Sequence, residues 1–419
     1  MSEVYDTIII GAGMSGLAAG IRLAMFGQKV CIVEKHTISG GLNSFYARKG
    51  RKLDVGLHAM TNFANKGERG LPLTKLLKQL RIPYADLQLS EQSTSRVSFP
   101  GIDLNFSNDP ALLESEIEKM FPEQGENFSK LLEVIKNFDE VNLENEYESA
   151  RDKISTIITD DKLVEMLLCP LLIYGSAWEN DMDFSQFVIM FKSIFLEGFS
   201  RPKNGVRTIL KLLLDKYKAL GGEIRFRSGV QSIEVENGSV QSVTLEKGDV
   251  LKTKRILSSM GLPETMSIVS HDDNKKEQLA AIGKMSFTET ILFYDKLPKE
   301  AGINDTIVFY NNREKYNYQR PETLCDFESA VICFPNNFGN EDNHEGVIRL
   351  TFMANYDKWK ALDRETYLLE KEKVLNETRD LVKKLFPQFK AKELLKDVFT
   401  PTTIERYSAH FGGTVYGST

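Results

Sequence analysis

The N-terminal pattern of apolar and polar positions predicts a strand, a helix and a second strand. Three isoleucines shortly after Asp6 are typical of a short buried strand, and apolar residues then recur from Leu17 to Ala24 as on one face of a helix. After Gly27, the run KVCIVE predicts a second strand that ends at Glu34. This order predicts a βαβ unit with parallel strands.

The turn between the first strand and the helix carries the spacing Gly-x-Gly-x-x-Gly. Gly11 can adopt a tight conformation, Gly13 leaves room for a pyrophosphate at the helix N-terminus, and Gly16 lets the helix pack closely on the strand. Glu34, about 20 residues further on, can accept hydrogen bonds from a ribose 2′-hydroxyl. We therefore predict a dinucleotide site and do not expect the 2′-phosphate of NADP, the plainer alternative being a glycine-rich turn without a ligand.

Further along the chain, helical and strand patterns alternate and predict interleaved domains. A hairpin pattern leads to Asp54, and a strand pair is expected around Pro100-Gly101 within a mostly helical region. Asn237-Gly238 and the stretch 247–249 predict hairpin turns, and one long charged helix is expected from 364 to 386. We divide the chain into residues 1–65, 66–200, 201–283, 284–400 and 401–419.

Two patterns in the helical region allow two interpretations each. An aromatic stripe at helical spacing is either ordinary core or the wall of a long apolar tunnel, and consists of Phe184, Phe187, Phe191 and Phe195. The basic amphipathic helix at 71–80 is either a solvated surface helix or a site of docking to a membrane interface.

Composition excludes several classes of protein. With 419 residues, 42% hydrophobic and 27% charged, the chain is an ordinary globular protein, and its net charge of −6 gives no reason to expect nucleic acid as a partner. No apolar run approaches the 18 or so residues of a membrane-spanning helix, although contact with a membrane surface stays open. No C-x-x-C or H-E-x-x-H spacing occurs in the sequence, so we expect no metal site. We interpret the four cysteines as reduced, mostly buried thiols of a cytoplasmic protein: Cys31, Cys169, Cys325 and Cys333.

The N-terminal motif, the SGG at 39–41 and the DVGLH at 54–58 together resemble the flavoprotein superfamily that includes amine oxidases and phytoene desaturases. The resemblance implies FAD as the cofactor, an α/β fold with a Rossmann-like FAD-binding domain, and an interleaved α+β substrate domain with a mixed sheet and a helical region. It places Gly40 and Gly41 against the cofactor and the Asp54-x-Gly56 segment near the isoalloxazine. The stretch from 201 to 233 looks like the second FAD segment, in which the backbone of Val230 meets the adenine.

Within that superfamily, the stretches YDKWKALDRETYLLEKEKVLNETRDLVKKLFPQF and FTPTTIERYSAHFGGTVYGS are most similar to phytoene desaturases, carotenoid isomerases and retinol saturases. This likeness implies an FAD-dependent oxidoreductase that desaturates, saturates or isomerises an apolar polyene, with peripheral membrane contact. An amine oxidase is the enzymatic alternative. A non-catalytic isoprenoid carrier of the Rab GDP-dissociation inhibitor type is the alternative from another class.

The expected site contains cofactor-binding residues but no assigned catalytic residue. His58 is either a structural histidine or a neighbour of the flavin, and Asp54 is expected to fix a loop rather than to act as an acid or base. The cofactor-binding set is Gly11, Gly13, Met14, Ser15, Gly16, Glu34, Lys35, Gly40, Gly41, Leu42, Asp54, Gly56, His58 and Val230.

The last residues lack a feature that the resemblance implies. In the superfamily, a C-terminal strand, a Gly-rich turn and a helix complete the FAD site, with the helix N-terminus facing the flavin ring. FGGTVYGST shows no such strand, turn and helix. We therefore expect a chain truncated within its C-terminal FAD segment, which holds the flavin ring poorly and exposes apolar surface.

Overall fold

Strands and helices alternate throughout this computed structural model, which describes residues 4–270, 282–339 and 344–417. The strands are β1 (Val4–Tyr5), β2 (Thr7–Ile10), β3 (Val30–Val33), β4 (Phe45–Arg48), β5 (Arg51–Asp54), β6 (Leu89–Glu91), β7 (Thr94–Phe99), β8 (Ile102–Phe106), β9 (Ser200–Pro202), β10 (Glu223–Arg225), β11 (Val230–Glu236), β12 (Ser239–Leu245), β13 (Val250–Thr253), β14 (Ile256–Ser258), β15 (Ser286–Tyr294), β16 (Asp305–Asn311), β17 (Ser329–Cys333), β18 (Gly346–Ala354) and β19 (Glu393–Phe399). The α-helices are α1 (Met14–Met25), α2 (Pro72–Leu80), α3 (Pro110–Met120), α4 (Gly125–Asn137), α5 (Ala150–Ser155), α6 (Asp161–Gly175), α7 (Phe184–Phe191), α8 (Val206–Ala219), α9 (Leu262–Ser267), α10 (Tyr356–Lys360), α11 (Arg364–Leu385) and α12 (Pro401–Ser408). A π-helical turn follows α7 at Lys192–Leu196, and 3-10 turns lie at Tyr84–Leu87, Pro122–Gln124, Pro298–Ala301, Pro335–Phe338 and Phe411–Gly413.

A four-stranded parallel sheet forms around β2, in the order β10-β3-β2-β14. The predicted βαβ unit is present, because α1 connects β2 to the parallel strand β3. Leu17 and Ile21 of α1 share a buried cluster with Leu210 and Tyr217 of α8, so these two helices cover the sheet together. Since β10 and β14 come from a distant part of the chain, two separate stretches assemble this sheet.

A second four-stranded sheet, in the order β1-β13-β12-β11, packs beside the first. The turn between β11 and β12 is at Asn237-Gly238, as predicted, with φ of 50° and 71°. Positive φ at both central residues is characteristic of a type I′ hairpin turn, which Asn-Gly favours.

The largest sheet has seven strands in the order β19-β15-β18-β17-β16-β7-β8. It is mixed, since β16 pairs parallel to β7 and its other neighbouring strands pair antiparallel. Side chains alternate between its faces: Val331 and Cys333 pack towards the helical region, whereas Ile332 packs with Val374 and Leu375 of α11 on the other face. The predicted strand pair around Pro100-Gly101 forms the β7-β8 edge.

The helical region buries the aromatic stripe and one leucine face of the basic helix α2. The aromatic stripe lies in the core at 1% exposure or less, so the tunnel-wall interpretation is wrong for Phe184, Phe187, Phe191 and Phe195. In α2, Leu73, Leu77 and Leu80 are buried in the cluster beneath α1, which leaves Leu76 as its half-exposed leucine. Within the described parts of the chain, no helix is both long and apolar enough to cross a membrane. The four cysteines are buried free thiols.

Candidate functional site

A cavity of about 940 Å³ begins at the carboxyl ends of β2 and β3 and extends to the seven-stranded sheet. This main cavity begins at the position where parallel α/β sheets bind ligands. Twelve of the fourteen predicted site residues line it: Gly11, Gly13, Met14, Ser15, Glu34, Lys35, Gly40, Gly41, Leu42, Gly56, His58 and Val230. Gly16 and Asp54 do not.

The three glycines of the first turn have different surroundings. Gly11 has a φ of 98°, and a Cβ there would lie 2.6 Å from Ser259 Oγ, so both conformation and space require glycine. Gly16 lies beneath the cavity, where a Cβ would meet the Gly11 carbonyl oxygen at 2.1 Å, which explains the close packing of α1 on β2. A Cβ at Gly13, the N-cap of α1, would have Gly40 O, at 4.0 Å, as its nearest contact among the described residues. The space in front of this helix N-terminus is therefore open to an anionic group.

Glu34 follows β3 directly and is held rigidly by the backbone. Its Oε2 accepts a hydrogen bond from Ala12 N, and its Oε1 accepts one from His36 N, both at 2.7 Å. Each carboxylate oxygen can accept a second hydrogen bond, so the fixed carboxylate can still bind hydroxyl groups in the cavity. Its neighbour Lys35 pairs at 2.9 Å with Glu246, which also lines the cavity.

The floor beside the α1 N-terminus has no side chains. Gly13 forms a β-bridge with Gly40, and a Cβ on Gly41 would lie 3.7 Å from the Gly13 Cα. Leu42, the next residue along the chain, also lines the cavity. Val230 also lines the cavity, together with the two residues that precede β11. The arrangement leaves room for a ligand that lies flat against backbone.

Asp54 lies outside the main cavity. Its carboxylate pairs with Arg201 at 2.8 Å and with Arg207 at 3.2 Å, and it lines a separate pocket of about 480 Å³. Gly205, in the loop predicted to be part of the second FAD segment, has a φ of 62°, and a Cβ there would lie 2.0 Å from the Asp54 carboxylate. This buried ion pair anchors the β5 end to the loop before α8, in agreement with the expected loop-fixing role.

Three buried polar residues meet between the main cavity, which His58 and Glu289 line, and the separate pocket, which Arg349 lines. Arg349 and Glu289 are each 2% exposed and form an ion pair, and His58 Nε2 lies 3.4 Å from Glu289 Oε1. Burial lowers the pKa of His58, which Glu289 only partly opposes, so the imidazole is neutral near pH 7. Burial alone would raise the pKa of Glu289, but Arg349 and His58 together outweigh it, so the carboxyl pKa lies below its ordinary value.

Sequence reasoning missed two parts of the cavity. The inner part is lined mainly by apolar side chains from α6, the seven-stranded sheet and the last described residues, among them Ile173, Phe287, Val331 and Val415. A C-terminal segment, from Asp397 to Phe411 with gaps, lines another side. A signal existed for Glu289 and Arg349, since each is a lone charge within an apolar run that predicts a buried strand.

A family model described as flavin containing amine oxidoreductase matches residues 14–415. The chain belongs to this family. It is thus a flavin-dependent oxidoreductase, which confirms the flavin cofactor and the Rossmann-like α/β fold that the resemblance implied.

Curated relatives match between 62% and 99% of the chain at low identity. The chloroplastic prolycopene isomerase of Daucus carota is 28% identical, over 99% of this chain and 72% of the relative. The human all-trans-retinol 13,14-reductase is 21% identical, over 99% of this chain and 77% of the relative. The phytoene desaturase (lycopene-forming) of Pantoea ananas is 24% identical, over 62% of this chain and 56% of the relative.

Solved structures share the fold. Wild-type putrescine oxidase bound to putrescine superposes with a TM-score of 0.63 at 15% identity, over 100% of this chain and 88% of the other. The RAB GDI of Plasmodium falciparum superposes with a TM-score of 0.55 at 11% identity, over 96% of this chain and 90% of the other. At such identities the likeness extends to the fold alone.

The residues in the main cavity fit a flavin nucleotide. The helix N-terminus with its open Gly13 suits a pyrophosphate, and the fixed Glu34 carboxylate suits ribose hydroxyls. The side-chain-free floor at Gly40 and Gly41 admits a flat group against the backbone. Each of these features is a space or acceptor that the described protein atoms leave available.

Proposed function

We propose that the chain binds FAD in the main cavity and uses it to desaturate, saturate or isomerise an apolar polyene of the carotenoid or retinoid type. The observation that carries the proposal is the continuity of the cavity, from the α1 N-terminus to the largely apolar wall between α6 and the seven-stranded sheet. The carotenoid and retinoid relatives support this substrate class.

In this proposal, different lining residues contact different parts of the FAD. Gly11, Gly13, Met14 and Ser15 receive the pyrophosphate at the positive end of α1, and Glu34 accepts hydrogen bonds from the adenosine ribose. The other contacts are assigned to Lys35, Gly40, Gly41, Leu42, Gly56, His58 and the backbone of Val230. Gly16 supports the turn from below, and Asp54 holds the adjoining loop.

When bound, the flavin accepts and returns a hydride or electrons. In this proposal, the protein holds the polyene in the cavity and excludes water there, and we assign this role to the side chains of Ile173, Phe287 and Val331, which line the cavity. Neutral His58 and the Arg349-paired Glu289 provide fixed polar groups without an unbalanced charge.

The carboxylates that line the cavity favour a polyene over an amine. Every one of them has a partner among the described residues: Glu34 with backbone amides, Glu246 with Lys35, Glu264 with Phe411 N and His410, Glu289 with Arg349, and Asp397 with Tyr46 and Arg48. At the largely apolar inner wall, the charge of Glu289 is balanced by Arg349, so a cationic amine there would find no unbalanced counter-charge, whereas an uncharged polyene needs none.

Turnover on matched substrates tests this choice. FAD-loaded protein is incubated in parallel with a poly-cis carotenoid, with phytoene and with retinol, each dispersed in detergent micelles, and with putrescine. We expect chromatography to show a changed double-bond pattern or geometry for at least one polyene and no peroxide from putrescine. Oxidation of putrescine with all polyenes unchanged would favour the amine oxidase alternative, and failure to take up FAD would favour the carrier alternative.

We also propose peripheral membrane contact, since an apolar polyene is delivered from lipid. Its support comes from the loop between α4 and α5, where Val141 is 73% and Leu143 100% exposed and Tyr147 packs against Trp178 at 5.0 Å. Flotation with phosphatidylcholine liposomes is expected for the native chain and reduced for Leu143→Ser. Equal flotation of both proteins would exclude this loop from the contact.

A further inference from the structure

A row of side chains crosses the cavity face of the seven-stranded sheet. The strand register aligns Phe309 of β16 with Val331 of β17, Val331 with Thr351 of β18, Thr351 with Glu289 of β15, and Glu289 with Phe399 of β19. Directly paired residues of neighbouring strands project to the same face. Four of these five line the main cavity, and Phe309 continues the row into the core.

Tyr174, near the end of α6, covers the Phe309 end of this row. Its ring centroid is 5.5 Å from that of Phe309 and 5.4 Å from that of Phe199, and it lines the main cavity. Because neighbouring strands are about 4.8 Å apart, Thr351 is about 10 Å from Phe309 across the sheet. Tyr174 and Thr351 therefore belong to the same inner part of the cavity.

Both hydroxyl groups are buried and lack a partner. Within the described residues, neither Tyr174 Oη nor Thr351 Oγ1 makes a hydrogen bond. Burial raises the pKa of Tyr174 well above its ordinary value, so its hydroxyl is a neutral donor. A buried hydroxyl without a partner destabilises the folded protein, whereas the neighbouring carboxylate of Glu289 is already engaged by Arg349.

We propose that Tyr174 and Thr351 bind an uncharged oxygen group, a hydroxyl or carbonyl, on an otherwise apolar ligand, and so select an oxygen-bearing polyene over a plain hydrocarbon. The inference rests on the proposed function, because it places the substrate in the inner cavity. It goes further in requiring one polar group on that substrate. Both residues act as positioning residues here, since they orient the ligand and do not exchange electrons with it.

The test compares two probes that differ in one oxygen: all-trans-retinol and the hydrocarbon in which its hydroxyl is replaced by hydrogen. Their affinity for FAD-loaded protein is measured by equilibrium partitioning from detergent micelles. The variants are Tyr174→Phe and Thr351→Val, which remove the hydroxyls at nearly constant volume. Tyr318→Phe and Thr290→Val are matched controls, because these buried hydroxyls bond to Ser176 O at 2.7 Å and to Thr378 Oγ1 at 3.0 Å.

We expect the native protein to prefer the alcohol by about tenfold, the effect of one or two neutral hydrogen bonds. Tyr174→Phe and Thr351→Val are each expected to reduce that preference and to leave the Tm of the FAD-loaded protein equal or higher. The controls should keep the preference and lower the Tm.

Three outcomes would overturn the inference. Equal affinity of the native protein for both probes would refute it while leaving the proposed function intact. Weakened FAD binding in Tyr174→Phe or Thr351→Val would assign that hydroxyl to the cofactor instead. Binding of neither probe by FAD-loaded protein would refute the proposed substrate class together with this inference.

Discussion

Removal of the Arg349 guanidinium is the sharpest test of the buried charges between the main cavity and the separate pocket. Arg349 pairs across the β15-β18 ladder with Ile291, so its side chain reaches diagonally to Glu289 on the same face. Arg349→Met keeps the volume and the apolar stem but leaves the Glu289 carboxylate buried at 2% exposure without its cation.

The expected loss is large because the partner stays behind. Removing one member of a buried ion pair destabilises a protein by about 3–5 kcal/mol, whereas removing a member of an exposed pair changes stability by about 0–1 kcal/mol. Arg320→Met is the matched control, since Arg320 pairs with Asp357 at 2.7 Å with side chains 38% and 68% exposed.

The pH dependence of the stability difference distinguishes an unpaired Glu289 charge from a general loss of packing in Arg349→Met. In the native protein the Glu289 pKa lies below its ordinary value of 4.5, so its contribution to stability is present above that value and lost as the pH falls. In Arg349→Met, only His58 still opposes burial, so we expect the Glu289 pKa to rise above its ordinary value and stability to be lost as the pH rises. The gap between the two proteins should therefore widen from pH 5 to pH 7.5.

Urea unfolding followed by far-ultraviolet circular dichroism, in saturating FAD and without it, measures that gap. The added change Glu289→Gln should recover a large part of the loss, because it removes the unpaired charge. A gap that is constant with pH, or no rescue by Glu289→Gln, would refute the reasoning.

The remaining predictions concern single side chains. Glu34→Ala should weaken FAD binding by about 1–3 kcal/mol, the scale of hydrogen bonds to a charged group, and unchanged affinity by calorimetry would remove Glu34 from the site. Asp54→Asn should lower the Tm, because it weakens the buried pair with Arg201, and leave the FAD dissociation constant within about twofold, because Asp54 lies outside the main cavity; a selective loss of FAD would contradict that placement. His58 has a lowered pKa, so the native protein gains protons on unfolding and loses stability as the pH falls below about 6.5. His58→Gln should flatten this slope by at most about 1.4 kcal/mol per pH unit, and identical slopes in urea titrations from pH 7.5 to 5.5 would show that His58 is not the titrating group.

Local chemistry made the first part of the site predictable. Strand, turn, helix and acidic residue lie within 30 residues, so spacing alone relates Gly11, Gly13 and Glu34 to one another. The same holds for the hairpin at Asn237-Gly238, where residue type determines the turn. These features need no knowledge of how distant parts of the chain meet.

The inner cavity depends on long-range pairing that the sequence does not reveal. Tyr174 and Thr351 are 177 positions apart, and they share a wall only because β16, β17 and β18 pair in one register. Asp54 shows the reverse case: its motif suggested a place near the flavin, but the folded chain brings Arg201 and Arg207 to it and turns it away from the main cavity.

The central claim is that FAD lies against the α1 N-terminus, and the most direct measurement is the FAD stoichiometry of Gly13→Val. A Cβ at Gly13 lies 4.0 Å from its nearest contact among the described residues, Gly40 O, so this variant should fold normally while its side chain occupies the space assigned to the pyrophosphate. Gly125→Val is the control, at another helix start with a φ of −54° and its nearest Cβ contact, the flexible Glu118 side chain, at 3.4 Å. Calorimetric titration should give one FAD per native chain and per Gly125→Val chain and none for Gly13→Val at the same Tm without FAD. Full FAD binding by folded Gly13→Val would contradict the account.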